Sequence, residues 1–476
     1  MGRDCNVAGA ENDLQLRDGA RIAVVGAGPA GSLFAIFAWR LAAELGRRVQ
    51  ITVFDGKPFT QSGPQGCNMC AGVVAEGLVA RFREIGLTLP ESVVQRHIRG
   101  YWWETRAGSL HLSPQKAESE IYTVYRGNGP RGSTSGRNVS FDDYLLGQVS
   151  SLGVQVVPQP VAEIQVPHGT RDGLATMLVG SKGQMEAYEA DLVVGAFGLS
   201  PRLARQVSAL GFGYVPPPTL PSYQAELRLG AEQVREGFQD RIVIYELSLP
   251  GIKFAAIIPK QEHITVTLIG EKAGKESLLG FLAHPLVSKR LPPGWQAPED
   301  YCHCRPRVAV APCQKPFTDR IVIIGDASVS RLYKNGLDSA FLTAKAAAEA
   351  VFRHGVSAQA FARYYFPTCR ALARDSVYGR LLFRLSALGF ASQRFLRLLV
   401  QAARYEQTTR RPEEQLLGRI LWGSFTGDQP YKDILLTALS PRIQWHLWSS
   451  LLAKKASPIP GGTAGDSIDK VTPDEA

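Results

Sequence analysis

The sequence predicts an α/β protein in which a Rossmann-like domain carries an inserted antiparallel β-sheet and is followed by a helical C-terminal region. Three observations predict this fold class. A β-branched segment at residues 21–25 runs into a glycine-rich turn, an apolar helix and a second strand at 50–54, which is a β-α-β pattern. Apolar and polar residues alternate between 222 and 270, with turn residues between the runs. From residue 358 to 455 the apolar spacing is helical.

The composition is that of an ordinary globular protein. Of the 476 residues 45% are hydrophobic and 20% are charged, which argues against a disordered or fibrous chain. Seven irregularly spaced cysteines do not form a secreted disulfide framework and favour a reducing, cytoplasmic compartment. Residues 1–20 lack the apolar stretch of a signal peptide, and we expect no transmembrane helix.

A glycine loop follows the first strand. Gly26 permits the tight turn, Gly28 lets the backbone approach a pyrophosphate, and Gly31 lets the helix pack on the strand. Pro29 and Ala30 complete the turn, and the helix N-terminus after it attracts phosphate.

An acidic residue stands where a dinucleotide site needs one. Asp55 follows Gly31 by 24 residues, at the end of the second strand, and is placed to bind the ribose hydroxyls of an adenosine. The alternative is a glycine-rich turn with an unrelated acidic residue. The glycine loop and Asp55 do not distinguish FAD from NAD.

A second motif, about 300 residues later, separates the two cofactors. Strand 321–324 ends in Gly325-Asp326, and Asn335-Gly336 opens an alanine-rich helix. Together with the glycine loop, this segment resembles the p-hydroxybenzoate hydroxylase-like flavoproteins, a superfamily that includes FAD-dependent geranylgeranyl reductases. The resemblance implies that FAD is the cofactor, that Gly325 and Asp326 hold its ribityl chain, and that Gly336 lies near the flavin ring. The alternative for Asp326 is a helix cap.

Two weaker matches lie between these motifs. Arg137 with Phe141-Asp142 resembles the Arg-x-x-x-Phe-Asp segment that precedes a helix near the cofactor in this superfamily. The segment 193–202 matches the place where hydroxylases carry Gly-Ala-Asp-Gly, but Phe197 replaces the aspartate. That departure puts hydroxylase-like handling of NADPH in doubt.

A cysteine segment resembles the reductases more specifically. Cys70-Ala71-Gly72 is similar to their Cys-x-Gly element, which implies that Cys70 lies near the flavin ring. There its thiol could donate a proton, gate the cavity or only pack, and it is the first candidate for the proton donor. Cys67 is the second candidate catalytic residue. Cys67 and Cys70 also form Cys-x-x-Cys, so a redox dithiol and half of a zinc site are alternatives. The remaining cysteines lack the paired spacing of zinc sites, and we predict no metal.

A segment of the inserted sheet resembles the one that lines the lipid cavity of geranylgeranyl reductases. Residues 250–260 align with Pro-Gly-x-Tyr-x-Trp-x-Phe-Pro-Lys, although its aromatic positions are occupied by smaller or less polar residues. The alternative is a plain amphipathic strand. Trp102 and Trp103 are adjacent in a strand, so at most one faces a cavity. The predicted substrate-binding residues are Phe254, Ala256, Ile258, Pro259 and Trp103.

The excess positive charge of +10 is concentrated in the C-terminal helices. Arginine interleaves with leucine and phenylalanine at 381–388 and 394–400, which favours peripheral contact with an anionic membrane. The alternative is a helical cap over the flavin domain. The arginines form no continuous basic face, so we predict no nucleic-acid partner.

The predicted function is reduction of carbon-carbon double bonds in an isoprenoid or another lipophilic substrate by an FAD-dependent oxidoreductase, with NADPH or a reduced ferredoxin-type carrier as electron donor. The alternatives are an FAD-dependent monooxygenase acting on an apolar substrate and a non-catalytic flavin-binding module. The predicted division is an N-terminal extension (1–20), an FAD-binding domain (21–97, 126–215 and 300–355), a substrate-binding sheet (98–125 and 216–299), a helical region (356–455) and a disordered tail (456–476).

Overall fold

The computed structural model describes residues 14–114, 119–133, 139–165, 173–181, 183–333, 335–445 and 447. The predicted tail and Arg137 lie outside the described residues.

The described strands are β1 (Ala20–Val25), β2 (Val49–Phe54), β3 (Val73–Val74), β4 (Val94–Ile98), β5 (Gly100–Thr105), β6 (Gly108–Leu112), β7 (Ile121–Val124), β8 (Gln155–Val157), β9 (Val161–Gln165), β10 (Ala175–Ser181), β11 (Gln184–Ala190), β12 (Leu192–Gly195), β13 (Thr219–Arg228), β14 (Arg241–Glu246), β15 (Phe254–Pro259), β16 (His263–Ile269), β17 (Cys302–Cys304), β18 (Arg307–Ala309), β19 (Phe317–Thr318) and β20 (Ile321–Ile323).

The described α-helices are α1 (Pro29–Glu44), α2 (Glu76–Glu84), α3 (Phe141–Ser151), α4 (Pro201–Ala209), α5 (Ala231–Phe238), α6 (Lys275–Ala283), α7 (Pro285–Ser288), α8 (Gly336–His354), α9 (Ala358–Ala360), α10 (Phe366–Ala391), α11 (Gln393–Thr409), α12 (Leu416–Thr426) and α13 (Tyr431–Ala438).

A six-stranded sheet carries the β-α-β unit. Its order is β19-β20-β12-β1-β2-β8, and all neighbours are parallel except β19 and β20. Five of the six residues of β1 are apolar and buried, as in a strand that is covered on both faces, and the exception is the half-buried Arg21. Ile22 and Val24 pack in the cluster that contains α1 and α8, while Ala23 and Val25 pack on the opposite side.

A three-stranded antiparallel sheet, β9-β10-β11, covers that opposite side. Ile164 of β9 and Met177 of β10 are buried against Ala23 and Val25. This sheet was not predicted from the sequence, because β11 is mostly exposed and carries no clear apolar alternation.

The inserted sheet is larger than predicted and not wholly antiparallel. Its order is β17-β13-β16-β15-β14-β5-β6, and β18 also pairs with β13. The pair β14 and β5 is parallel, with Trp103 opposite Ile244. One face packs on α11 and α12, and the other packs on α5, α6 and α7.

A small sheet, β3-β7-β4, connects the two large sheets. The predicted domain boundary between residues 97 and 98 falls within β4. Over the described ranges, none of the helices has both the length and the apolar character that a bilayer crossing requires.

Candidate active site

The glycine loop joins β1 to α1 under tight steric limits. Gly26 has φ +108°, and a Cβ built on it would lie 2.5 Å from the carbonyl oxygen of Ala196 in the neighbouring strand connection. A Cβ on Gly31 would overlap the carbonyl oxygen of Gly26. No side chain therefore fits at either position, as the predicted roles of the two glycines require.

Gly28 differs from these two because the protein itself leaves space around it. Its φ is −64°, and the nearest atom to a built Cβ is Nδ2 of Asn68 at 3.5 Å. No side chain caps α1 and its first turn holds no acidic residue, while Pro29 has no N–H to satisfy. The backbone N–H groups of Ala30 and Gly31 therefore lie at the N-terminus of α1, where a phosphate could approach them.

Asp55 is tied to the same loop. Its Oδ2 accepts a hydrogen bond of 2.7 Å from the backbone N–H of Ala27, and its Oδ1 accepts one of 2.8 Å from that of Lys57. These two contacts fix the carboxylate at the end of β2. Each oxygen keeps a lone pair, so the carboxylate could still accept ribose hydroxyl groups.

The two distant motifs meet in space. Gly325 has φ +63°, and a Cβ built on it would lie 2.8 Å from the Cβ of Ala30. The turn after β20 is therefore packed on the first turn of α1. The predicted halves of one cofactor site are adjacent.

Asp326 has a buried carboxylate oxygen that a ligand could bind. Within the described part of the chain no donor reaches its buried Oδ1, and burial raises the pKa of the carboxyl group although the Ser330 side chain and Arg126 oppose the shift. A buried, unpartnered carboxylate oxygen is uncommon in native proteins. A ligand hydroxyl group would satisfy it, which is what a ribityl chain offers.

Gly336 lies next to Asp326. It is the first residue of α8, after Asn335 in the left-handed conformation (φ 54°). A Cβ on Gly336 would lie 3.3 Å from Oδ1 of Asp326. The N-terminus of α8 therefore points to the carboxylate that lacks a donor.

The segment Cys67–Gly72, here called the cysteine loop, begins against the glycine loop. The Asn68 side chain lies beside Gly28 and donates to Oδ2 of Asp142. Arg126 pairs with the same carboxylate through two contacts, Nε to Oδ1 at 2.6 Å and a second nitrogen to Oδ2 at 3.0 Å. Asp142, predicted as part of a cofactor motif, therefore serves to anchor this loop.

Cys70 lies beside a fixed cation. Its Sγ accepts from the backbone N–H of Gly72 at 3.5 Å and is also a hydrogen-bond partner of Arg126. Burial would lower the pKa of Arg126, but Asp142 and Cys70 outweigh burial and raise it. Arg126 therefore stays charged next to the Cys70 thiol.

Cys67 is in a different environment. Its Sγ accepts from the backbone N–H of Met69 at 3.3 Å, and burial raises the pKa of this thiol. Cys304, which lies close enough to Cys67 to interact electrostatically, also has a pKa raised by burial. The described residues contain no group of three or more His, Cys, Asp or Glu side chains arranged to hold a metal ion.

Four of the five predicted substrate-binding residues share one apolar cluster. Trp103, Ala256 and Ile258 are buried, and Phe254 is half-buried against them. The cluster also contains Leu396, Leu399, Leu421 and Trp422 from α11 and α12. Ala71 of the cysteine loop and Val73 just after it pack against the cluster. The C-terminal helices therefore form one wall of the predicted substrate site.

The fifth predicted residue, Pro259, has a different environment, and so has Trp102, which was not predicted to bind substrate. Pro259 ends β15, and its carbonyl oxygen accepts a hydrogen bond of 2.9 Å from the Thr123 hydroxyl. Trp102 lies on the opposite face of the sheet from Trp103, between the guanidinium groups of Arg241 and Arg290, 5.6 and 4.9 Å from the ring centre.

No protein-family model matches the chain. A geranylgeranyl diphosphate reductase from Synechocystis sp. is 24% identical over 349 residues, which are 70% of this chain and 75% of that protein. A geranylgeranyl bacteriochlorophyll reductase-like protein from Thermoplasma acidophilum superposes with a TM-score of 0.63 at 16% identity, over 88% of this chain and 98% of its own. The chain has the fold of the geranylgeranyl reductase-like flavoproteins.

Other proteins share this reductase-like fold. A flavoprotein/dehydrogenase from Cytophaga hutchinsonii superposes with a TM-score of 0.61 at 15% identity, over 92% of this chain and 100% of its own. A flavin-dependent brominase gives 0.55 at 14% identity, over 92% and 98%. The predicted resemblance and fold class are confirmed, but this fold hosts several flavin reactions.

Sequence reasoning missed the residues that fix the cysteine loop. Asn68, Arg126 and Lys260 each make polar contacts that hold this loop in place. The available signal was a charged residue at the end of an apolar strand: Lys260 follows β15 directly, and Arg126 lies two residues after β7. Their partners are distant in sequence, so only the structure could show them.

Proposed function

We propose that the protein is an FAD-dependent oxidoreductase that reduces carbon-carbon double bonds of an isoprenoid or a related lipophilic substrate. One observation carries the proposal. The cysteine loop touches the glycine loop through Asn68 at one end, and its other end, at Ala71, packs in the apolar cluster of Trp103 and Ile258. A segment with the reductases' Cys-x-Gly element therefore links the cofactor loop to an apolar surface.

The residues described above would hold FAD as follows. The glycine loop and the first turn of α1 would bind the pyrophosphate, and Asp55 would accept the adenosine ribose hydroxyl groups. The unpartnered Oδ1 of Asp326 would accept ribityl hydroxyl groups. The N-terminus of α8 at Gly336 would favour negative charge near the flavin ring.

When bound, reduced FAD supplies the hydride for such a reduction. The apolar cluster would exclude water and align the hydrocarbon chain of the substrate. Cys70 would hold the second hydrogen, a proton, at its Sγ, with Arg126 fixing the position of the thiol. NADPH or a reduced ferredoxin-type carrier would donate the electrons, and Phe197 in the place of the hydroxylase aspartate weighs against hydroxylase-like NADPH handling.

Reoxidation of the flavin tests the reaction. The purified protein is loaded with FAD, reduced without oxygen and mixed with geranylgeranyl diphosphate in detergent micelles, and the flavin absorbance is followed. The proposal predicts reoxidation together with a product two mass units heavier per reduced bond. A flavin that stays reduced while a control flavoenzyme turns over would contradict it.

A monooxygenase is the second candidate, because a brominase and oxygenases share the fold. It predicts that the flavin reoxidises only when oxygen is added and that the apolar product gains an oxygen atom. The third candidate, a non-catalytic flavin-binding module, predicts neither product.

We also propose a peripheral membrane contact, and an exposed apolar stripe on α10 supports it. Five large side chains of this helix are exposed by more than a third and lie on one side of it, which is uncommon on a surface that faces water only. They are Val377, Tyr378, Leu381, Leu385 and Leu388. An isoprenoid substrate dissolves in the same bilayer that such a stripe would enter.

The charge around the stripe favours an anionic bilayer. Residues 366–409 contain seven arginines and only two acidic residues. Asp375 is mostly buried and pairs with Arg331, and the buried Glu406 accepts from the backbone N–H groups of Leu416 and Leu417. A second copy of the chain is a poorer partner, because a two-fold contact would bring like charges together.

Vesicle sedimentation tests the membrane contact. The protein is expected to sediment with vesicles of an anionic phospholipid more than with zwitterionic ones, and less at high salt. The double variant Leu385→Glu, Leu388→Glu should bind both kinds of vesicle to the same extent. Leu279→Glu changes an exposed leucine on α6 and should keep the preference for anionic vesicles. Equal binding of wild type and the double variant would contradict the contact.

A further inference from the structure

Lys260 is a charged residue in the core of the protein. It follows β15 directly, and its side chain is 1% exposed. Burying an ammonium group without partners is strongly unfavourable, so each partner of Lys260 is informative. Its Nζ donates to the Thr265 hydroxyl at 2.6 Å and to the carbonyl oxygen of Ala71 at 3.0 Å, and it lies 3.5 Å from Oε1 of Glu226.

Two of these partners belong to the sheet itself. Glu226 of β13 and Thr265 of β16 are directly opposite each other in the antiparallel register. The Thr265 hydroxyl lies 2.9 Å from both carboxylate oxygens of Glu226. The ring of Tyr125 also lies below the ammonium group, 4.9 Å from Nζ. The position of the charge is therefore fixed by three separate strands or strand ends.

The third partner belongs to the cysteine loop. Ala71 precedes Gly72, which has φ +73° and whose built Cβ would overlap the carbonyl oxygen of Val124 and lie 3.6 Å from Nζ of Lys260. The backbone N–H of Val124 donates to the carbonyl oxygen of Gly72 at 2.8 Å. The end of the loop is thus held between β7 on one side and the buried ammonium group on the other.

We infer that Lys260 is a positioning residue, which holds the Ala71 carbonyl and thereby sets where Cys70 lies between the cofactor loop and the apolar cluster. A buried ion pair contributes little net stability, and apolar residues of similar volume serve a fold equally well. Among the described residues, the contact to Ala71 is the side-chain hydrogen bond by which the pair reaches the cysteine loop from the inserted sheet. The inference rests on the proposed function only for its effect on turnover, because the position of the loop can be measured without the reaction.

The experiment separates positioning from stability by removing both charges. Lys260→Met alone leaves Glu226 buried without its cation and should unfold at a lower temperature. Glu226→Gln with Lys260→Met removes both charges and should recover the melting temperature. Lys253→Met is the matched control, because Lys253 is exposed and lies just before the same strand.

Two readouts are taken on the double variant. Backbone hydrogen exchange of residues 67–72, measured without added FAD, should be faster than in wild type, because the Ala71 carbonyl has lost its donor. Turnover of the FAD-loaded double variant should fall by roughly 10²-fold in kcat, as a displaced catalytic group would cause. Lys260→Arg keeps a hydrogen-bond donor and a positive charge. It should therefore keep part of the slow hydrogen exchange and part of the turnover of wild type.

Each outcome of these measurements either supports the inference or overturns it. Slow exchange over 67–72 in a stable double variant would show that Lys260 only neutralises Glu226, and would overturn the inference. Fast exchange with unchanged kcat would overturn it as well, since the loop position would then not matter for turnover. If wild type itself does not reduce an isoprenoid, the proposed function fails, and the exchange measurement still decides whether Lys260 holds the loop.

Discussion

Asp326 shows how one residue can link cofactor affinity to the stability of the empty protein. No donor among the described residues reaches its buried Oδ1, so the cofactor-free fold tolerates a carboxylate whose burial the Ser330 side chain and Arg126 only partly offset. A ligand that donates to this oxygen would remove that penalty. The residue that binds the ligand best would therefore also destabilise the protein without it, a common property of functional sites.

Asp326→Asn should separate the two effects. The amide cannot offer a charged acceptor, so the Kd for FAD is expected to rise roughly 10- to 100-fold, in line with about 1.5–3 kcal/mol for a hydrogen bond to a charged group. The melting temperature of the FAD-free protein should rise. Isothermal titration and thermal unfolding measure the two quantities, with Asp433→Asn on an exposed turn of α13 as the control.

The same substitution should change the pH dependence of stability. Burial raises the pKa of Asp326, so the folded protein binds a proton that the unfolded chain has already released. Stability of the FAD-free protein therefore falls as pH rises above the ordinary carboxyl range of about 4. The stability of Asp326→Asn does not fall for this reason. The melting temperature of the variant should therefore exceed that of wild type by an amount that grows between about pH 4 and pH 7. An advantage that is constant with pH would contradict the assignment.

At the scale of elements, α10 and α13 do more than cover the flavin domain. The loop between Asp326 and Gly336 is held by them: Arg331 pairs with Asp375 of α10 at 3.3 Å and lies over the ring of Tyr431 of α13 at 4.2 Å. The Tyr431 hydroxyl donates to the carbonyl oxygen of Leu332 at 2.7 Å. The C-terminal helices therefore position a loop between two predicted FAD contacts.

Tyr431→Phe tests this support. It leaves the buried carbonyl of Leu332 without its donor, which should lower the free energy of unfolding by about 1–3 kcal/mol and weaken FAD binding without touching the cofactor. Tyr405→Phe changes an exposed tyrosine of α11 and should do neither. Denaturant unfolding and FAD titration give the two values, and unchanged FAD affinity would show that the loop needs no such support.

The elements also show which parts of the fold a sequence can predict. The β-α-β unit was predictable because Ile22, Val24 and the glycine loop act through local spacing. The parallel pair of β5 and β14 was not, because it joins Trp103 to Ile244 across 140 intervening residues and nothing local specifies a partner. The site divides in the same way: Asp55 and Asp326 follow strands with a recognisable ending, whereas Lys260 depends on Ala71, which only tertiary structure brings near.

At the scale of the whole molecule, FAD would join the first and last strands of the parallel sheet. Saturation with FAD should therefore stabilise the α/β domain as one unit, by about 2.7 kcal/mol at a free concentration 100 times Kd. Calorimetry should show a single transition of that domain moving to higher temperature. If only a minor transition moved, the two halves would not act as one site.

The contact of Gly325 with Ala30 has a consequence for synthesis of the chain. The ribosome completes β2 at Phe54 and must add 266 more residues before Ile321 opens β20. At roughly 5–20 residues per second, that takes about 13–53 seconds. During this time the glycine loop exists without its counterpart, so a nascent chain could acquire FAD only after most of the protein has left the ribosome.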